Sequence, residues 1–119
     1  YNLVRRASDA FIAEIRAGVP AVLPHLAARR VVSEAGLDHG RVHTSGYGLA
    51  PGFPPTWGEP LHLFGGSSYT LQAGMVVTVE PPVFLGDQRL GARLIDNVLV
   101  TTTGAELLSQ FSRDLIVSD

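Results

Sequence analysis

Leu71-Gln72-Ala73-Gly74-Met75-Val76-Val77-Thr78-Val79-Glu80-Pro81-Pro82 is the stretch from which the fold is read. Gly74 punctuates it, and Met75 to Val79 is an apolar, β-branched run of strand length bounded by turn residues, which predicts a buried strand. Pro81 and Pro82 close the run, because proline offers no N–H to a ladder and fixes its own φ. Glu80 therefore stands at the mouth of a buried strand whose exit is rigid. A carboxylate so placed suits a general base or a metal ligand. The plainer alternative is a strand-end glutamate facing water.

On the C-terminal side, Leu94 to Thr102 carries β-branched residues and is followed by a Gly104 turn, so a second strand is expected there, with a short third one near Leu115 to Val117. On the N-terminal side the texture is helical. Leu3, Ala7, Phe11 and Ile15, flanked by Val4 and Ile12, form one stripe over residues 2–17 that Gly18 should end. A second helix should begin near Leu23, with Pro24 in its first turn, a buried face of Leu26, Ala27, Val31 and Ala35, and Gly36 as its stop. Between the helical hairpin and the strands, residues 46–66 are rich in glycine and proline around Phe53, Trp57 and Phe64. They predict a long loop of the functional kind. Helix pair, loop, then antiparallel strands make the class α+β.

Composition narrows the chemistry. The 119 residues make one domain at most, 45% hydrophobic and 17% charged, with a formal net charge of −2. No basic cluster exceeds Arg-Arg, which gives no footprint for nucleic acid, and no apolar run is long enough for a membrane helix. The absence of cysteine excludes disulfides, thiolate nucleophiles and cysteine-bound zinc, and a cytoplasmic location is expected. All nine basic residues are arginine, so lysine-based phosphate loops and Schiff bases are excluded too. Tyr1 falls inside the first helical stripe, which suggests that residues 1–119 are the later half of a longer domain.

Beside Glu80, the side chains able to carry chemistry lie mostly in the glycine-rich region. His43 and Tyr47 flank Gly46 and could polarise a carbonyl, or simply pack together. Phe53 and Trp57 could wall a small-substrate pocket or form the core beneath the loop, with Glu59 and His62 at its rim. Glu59 and His62 alone make no metal site, which wants three or four converging ligands. His25 and His39 are expected to be exposed. Arg93 and Asp96 on the later strand suggest a surface ion pair. Serine-hydrolase, dinucleotide and zincin motifs are absent.

Two strand motifs, in the right order and spacing, resemble the creatinase, prolidase and methionine aminopeptidase family. The stretch from Leu71 to Pro81 resembles its Leu-x-x-Gly-Met-Val strand ending in Glu-Pro. Gly91-Ala92-Arg93-Leu94-Ile95-Asp96, running on to Thr101, resembles its Gly-x-Arg-x-Glu-Asp strand. The resemblance covers about residues 1–110 and implies half of a pita-bread fold: a helical hairpin packed on a curved antiparallel sheet. The family's metalloenzymes hold two divalent ions with two aspartates, one histidine and two glutamates. The aspartates belong before Tyr1, the histidine position falls on Tyr47, the first glutamate on Glu80 and the second on Ile95. A substrate-facing histidine position falls on Pro54. One matched ligand of five implies no metal and no other cofactor.

Gly46-Tyr47-Gly48-Leu49 leading to Phe53-Pro54-Pro55-Thr56-Trp57-Gly58-Glu59 resembles the ectoine hydrolase-like branch, linked to metal-independent opening of C–N bonds in small molecules. The resemblance implies catalytic roles for Glu80, His43 and Tyr47, and substrate contacts from Phe53, Trp57, Glu59, His62 and Arg93. A pseudoenzyme or binding module is the alternative, favoured by Ile95 and Pro54. A small-molecule substrate is expected of the parent protein. The open half-domain should be covered by self-association or by the missing upstream half.

Overall fold

A computed structural model describes residues 1–52 and 55–118. The helical hairpin forms as α1, Asn2–Ala13, and α2, Val22–Glu34. Five strands, β1 (Tyr47–Leu49), β2 (Gly58–His62), β3 (Val76–Val79), β6 (Asp96–Val100) and β7 (Ala105–Leu107), make an antiparallel sheet in the order β2-β1-β3-β6-β7. A separate antiparallel hairpin, β4 (Val83–Leu85) with β5 (Leu90–Ala92), projects from the end of β3.

The strands expected at Met75 to Val79 and Leu94 to Thr102 are β3 and β6, paired from Val76↔Leu99 to Val79↔Asp96. This register puts Val77, Val79, Val98 and Val100 on the face that packs with Val4, Ala7, Phe11, Ala28 and Val32 of the helices. All of these side chains are buried. The opposite face carries Val76, Thr78, Asn97 and Leu99, and no helix covers it among the described residues.

Several expectations are corrected. α1 stops at Ala13, four residues earlier than its stripe suggested. The chain then tightens into turns, and Gly18 serves a different purpose: at φ +85° its N–H donates to the Leu71 carbonyl. The buried face of α2 is Pro24, His25, Ala28 and Val32; Leu26 is 41% exposed. Small side chains let α2 approach α1 closely, so Ala28 rather than Leu26 marks the contact. The glycine-rich region is not one loop, since it holds β1 and β2. The third strand is β7, directly after the Gly104 turn, while Leu115 to Val117 are exposed and outside any strand.

Candidate functional site

Glu80 follows β3 directly and is only 2% exposed. Its backbone N–H donates to the Ser45 carbonyl at 2.8 Å. The Thr78 hydroxyl, two residues back on the same face, lies 3.2 Å from Oε1, and an Arg93 terminal nitrogen lies 3.2 Å from Oε2. A buried carboxylate needs such partners, because leaving it unpaired in a dry site would cost several kcal/mol. Arg93 reaches Glu80 from the residue just after β5 and stacks over Phe84 of β4, 5.9 Å from the ring centroid. The β4–β5 hairpin thus delivers the cation to the carboxylate. The surface pair expected between Arg93 and Asp96 does not form. Asp96 is paired with Val79 in the ladder, turns to the helix side, and is held by Arg113 at 2.9 Å.

Tyr47 opens β1 opposite the end of β3. Its backbone N–H donates to the Thr78 hydroxyl at 3.0 Å, so Thr78 links Tyr47 to Glu80 through two hydrogen bonds. The phenol oxygen accepts the Trp57 indole N–H at 3.0 Å, which leaves the tyrosine's own O–H to donate elsewhere. Its ring sits beside that of His62, its partner in the β1–β2 ladder, with centroids 6.2 Å apart. Glu80, Arg93, Tyr47 and Trp57 are therefore joined, directly or through Thr78. Sequence reasoning gave Thr78 no part; its place two residues before Glu80 on the same strand face was the available signal.

The remaining candidates fall elsewhere. His43 and His62 line a cleft of about 590 Å³ together with His25, Arg41 and Phe64. His25, expected at the surface, is only 8% exposed; its Nδ1 lies 2.9 Å from the Ser45 hydroxyl. Burial first, then the nearby charges of Arg41 and Arg29, lower its pKa to about 4, with Asp38 opposing. His39 is exposed, as expected. Glu59 lies on the Gly48 and Leu61 side of the hairpin, facing away from Glu80. Phe53 and Pro54 lie outside the described residues.

The donors among the described residues do not by themselves make a site for a pair of divalent ions. Glu80 already engages Arg93 and Thr78, and Asp96 points to the other face. Continuing the β3–β6 register by one step sets Ile95, 55% exposed, opposite Glu80. An alkyl side chain donates nothing to a hard cation. Among the described residues, no group of three His, Asp or Glu side chains is placed so that it could hold a metal ion.

An α+β fold with a Glu-Pro strand end and a following hairpin that leads directly into Arg93 defines the pita-bread class of folds. The chain belongs to metallopeptidase family M24, whose model matches residues 1–102. It is 35% identical over 117 residues to the probable dipeptidase PepE of Mycobacterium tuberculosis, covering 98% of this chain and 30% of that protein. Dipeptidase PepE from Mycobacterium ulcerans superposes with a TM-score of 0.87 at 33% identity, covering 98% of this chain and 30% of that one. The Xaa-Pro dipeptidase from Bacillus anthracis does so with a TM-score of 0.88 at 28% identity, covering 98% and 31%. The prolidase from Pyrococcus furiosus gives 0.86 at 26% identity, covering 95% and 32%. The chain thus spans about 30% of the length of the relatives it matches.

Proposed function

We propose that this chain forms one wall of the active site of an M24-family hydrolase that opens a C–N bond in a small molecule without a bridging metal pair, in the manner of the ectoine hydrolase-like branch it resembles. The observation that carries this is the partner of Glu80. Where the family's metalloenzymes would place ions, Arg93 holds the carboxylate and Ile95 stands alongside. Glu80 is then fixed for proton handling rather than for ligation. The Tyr47 O–H, freed to donate because Trp57 occupies its oxygen, faces an acceptor such as the oxygen that gains charge as the C–N bond is attacked. One preplaced donor of this kind contributes about 3 kcal/mol to the transition state. His43 assists from the neighbouring cleft. The nucleophile or second acid belongs to the part of the domain that this chain does not span.

The test is turnover by the full-length protein after exhaustive chelation. Small amides, cyclic amides, guanidino compounds and, given the names of the relatives, dipeptides make the panel, with Glu80→Gln as control. Activity that survives chelation and is lost in Glu80→Gln is expected. Activity that returns only with manganese or cobalt would overturn the metal-free assignment. Ile95 specifically favours a second reading, a pita-bread pseudoenzyme or binding module, because it removes a polar group from the site. Binding without turnover across the panel would favour that alternative.

A further inference from the structure

The cleft between α2 and the β1–β2 hairpin gathers three of the chain's four histidines, His25, His43 and His62, around Arg41. Among the described residues, no acidic side chain lines it. Arg41 has only 8% of its side chain exposed. One terminal nitrogen pairs with Asp38 at 3.2 Å; the other comes no closer than 3.5 Å to His25 Nδ1; Nε is buried with no partner among the described residues. A guanidinium has five N–H donors and no acceptor, and burying them unmatched is costly. Asp38 does not balance the charge either, because Arg29 also binds it, with contacts of 3.3 and 3.2 Å. Two guanidiniums face one carboxylate and leave one positive charge over.

His25 is set to serve the same ligand. In the tautomer that a carboxylate ligand requires, His25 Nδ1 accepts the Ser45 hydroxyl at 2.9 Å and the ring proton sits on Nε2. Nε2 lies on the cleft wall beside Gly65, where a side-chain carbon would come within 3.7 Å of it. The depressed pKa of His25, driven by burial and then by Arg41 and Arg29, reports the same positive field. His43 Nδ1 donates to the Thr44 carbonyl at 2.9 Å, which leaves only a lone pair on Nε2 of the neutral ring, so His43 borders the cleft without itself donating to a carboxylate.

We propose that this cleft is a carboxylate-binding site, in which Arg41 and His25 donate to the carboxylate oxygens, with His43 and His62 flanking them and Phe64 supplying an apolar wall. A carboxylate matches the flat guanidinium better than a spherical anion does. The site stands whether or not Glu80 acts as a catalyst.

Histidine-ring NMR of the full-length protein tests it, with N-acetylglycine as probe and the neutral N-acetylglycinamide as its matched control. Saturable shifts of His25, His43 and His62 with the acid alone are expected, with His39 unmoved as the internal reference. Arg41→Gln should weaken binding about tenfold or more, the loss of a charge-assisted hydrogen bond. Should that buried substitution prevent folding, His62→Gln on the exposed side should still weaken binding several-fold. Equal shifts with the amide, no saturation below about 50 mM, or tighter binding of inorganic phosphate would each overturn the assignment. Failure here leaves the chelation result untouched, and failure there leaves this one.

Discussion

His25 shows how one side chain can make stability depend on pH. Its imidazole is neutral in the fold until about pH 4, because burial and then Arg41 and Arg29 oppose the charge. In the unfolded chain it takes up a proton near 6.5. Between those values the unfolded state binds the extra proton, so stability falls as pH drops from about 6.5 to about 4 and this contribution then levels off. The full separation corresponds to roughly 3 kcal/mol at most. Asp38 acts in a lower window. Its hydrogen bonds, first with Arg29 and then with Ser33, hold its pKa at about 2, so what it contributes is lost below the ordinary carboxylate range. Urea midpoints measured from pH 7 to pH 4 should decline in the native protein, and His25→Gln should flatten most of that decline. An unchanged slope in the variant would mean that the imidazole titrates normally. Nothing in the residue pattern announced this, since the large apolar residues of α2 pointed to a different face.

Among the elements, the contact between the start of β1 and the end of β3 positions the candidate site. Gly46 is required there: a side-chain carbon at that position would lie 2.2 Å from the Thr78 carbonyl oxygen and 3.2 Å from the Phe11 ring. Backbone cannot yield as a flexible side chain can. Gly46→Ala should therefore push β1 off β3 and cost about 3 kcal/mol, read as a fall in the urea midpoint at unchanged slope. It should also loosen the Tyr47–Thr78–Glu80 chain, whereas Gly86→Ala, which meets open space, should be neutral. The same contact explains what could be read in advance. β3 and β6 are legible because their own side chains, Val76 to Val79 and Asn97 to Val100, carry the pattern of a buried ladder between Gly and Pro stops. β1 and β2 are not, because Tyr47-Gly48-Leu49 and Gly58 to His62 take strand form from pairing with neighbours rather than from composition. Glu80, Tyr47 and Trp57 were legible as candidates. Thr78 and the Arg93 pairing were not, since they depend on register and on a hairpin, β4–β5, too short to announce itself.

At the scale of the whole molecule, the two sheet faces are unequal. Helices bury Val77, Val79, Val98 and Val100 on one face, while on the other Val76 and Leu99 are half-exposed and Ile95 is 55% exposed. The C-terminal segment adds Phe111, Leu115, Ile116 and Val117, each 60% exposed or more. Open apolar side chains on a sheet face are of the kind that a partner surface covers. If the rest of a pita-bread domain covers the bare face, as the proposed function requires, the 119 residues expressed alone should bind an apolar dye and sediment as a concentration-dependent self-associating species. Substituting Leu99 with a polar residue such as Gln, on the bare face and away from Glu80, should reduce both signals while leaving the fold intact. In the full-length protein the same substitution should instead destabilise, because there it would remove a buried contact. A dye-silent, cleanly monomeric fragment would show that the C-terminal segment already covers this face. In that case the half-domain would be a self-sufficient module, not one wall of a shared site.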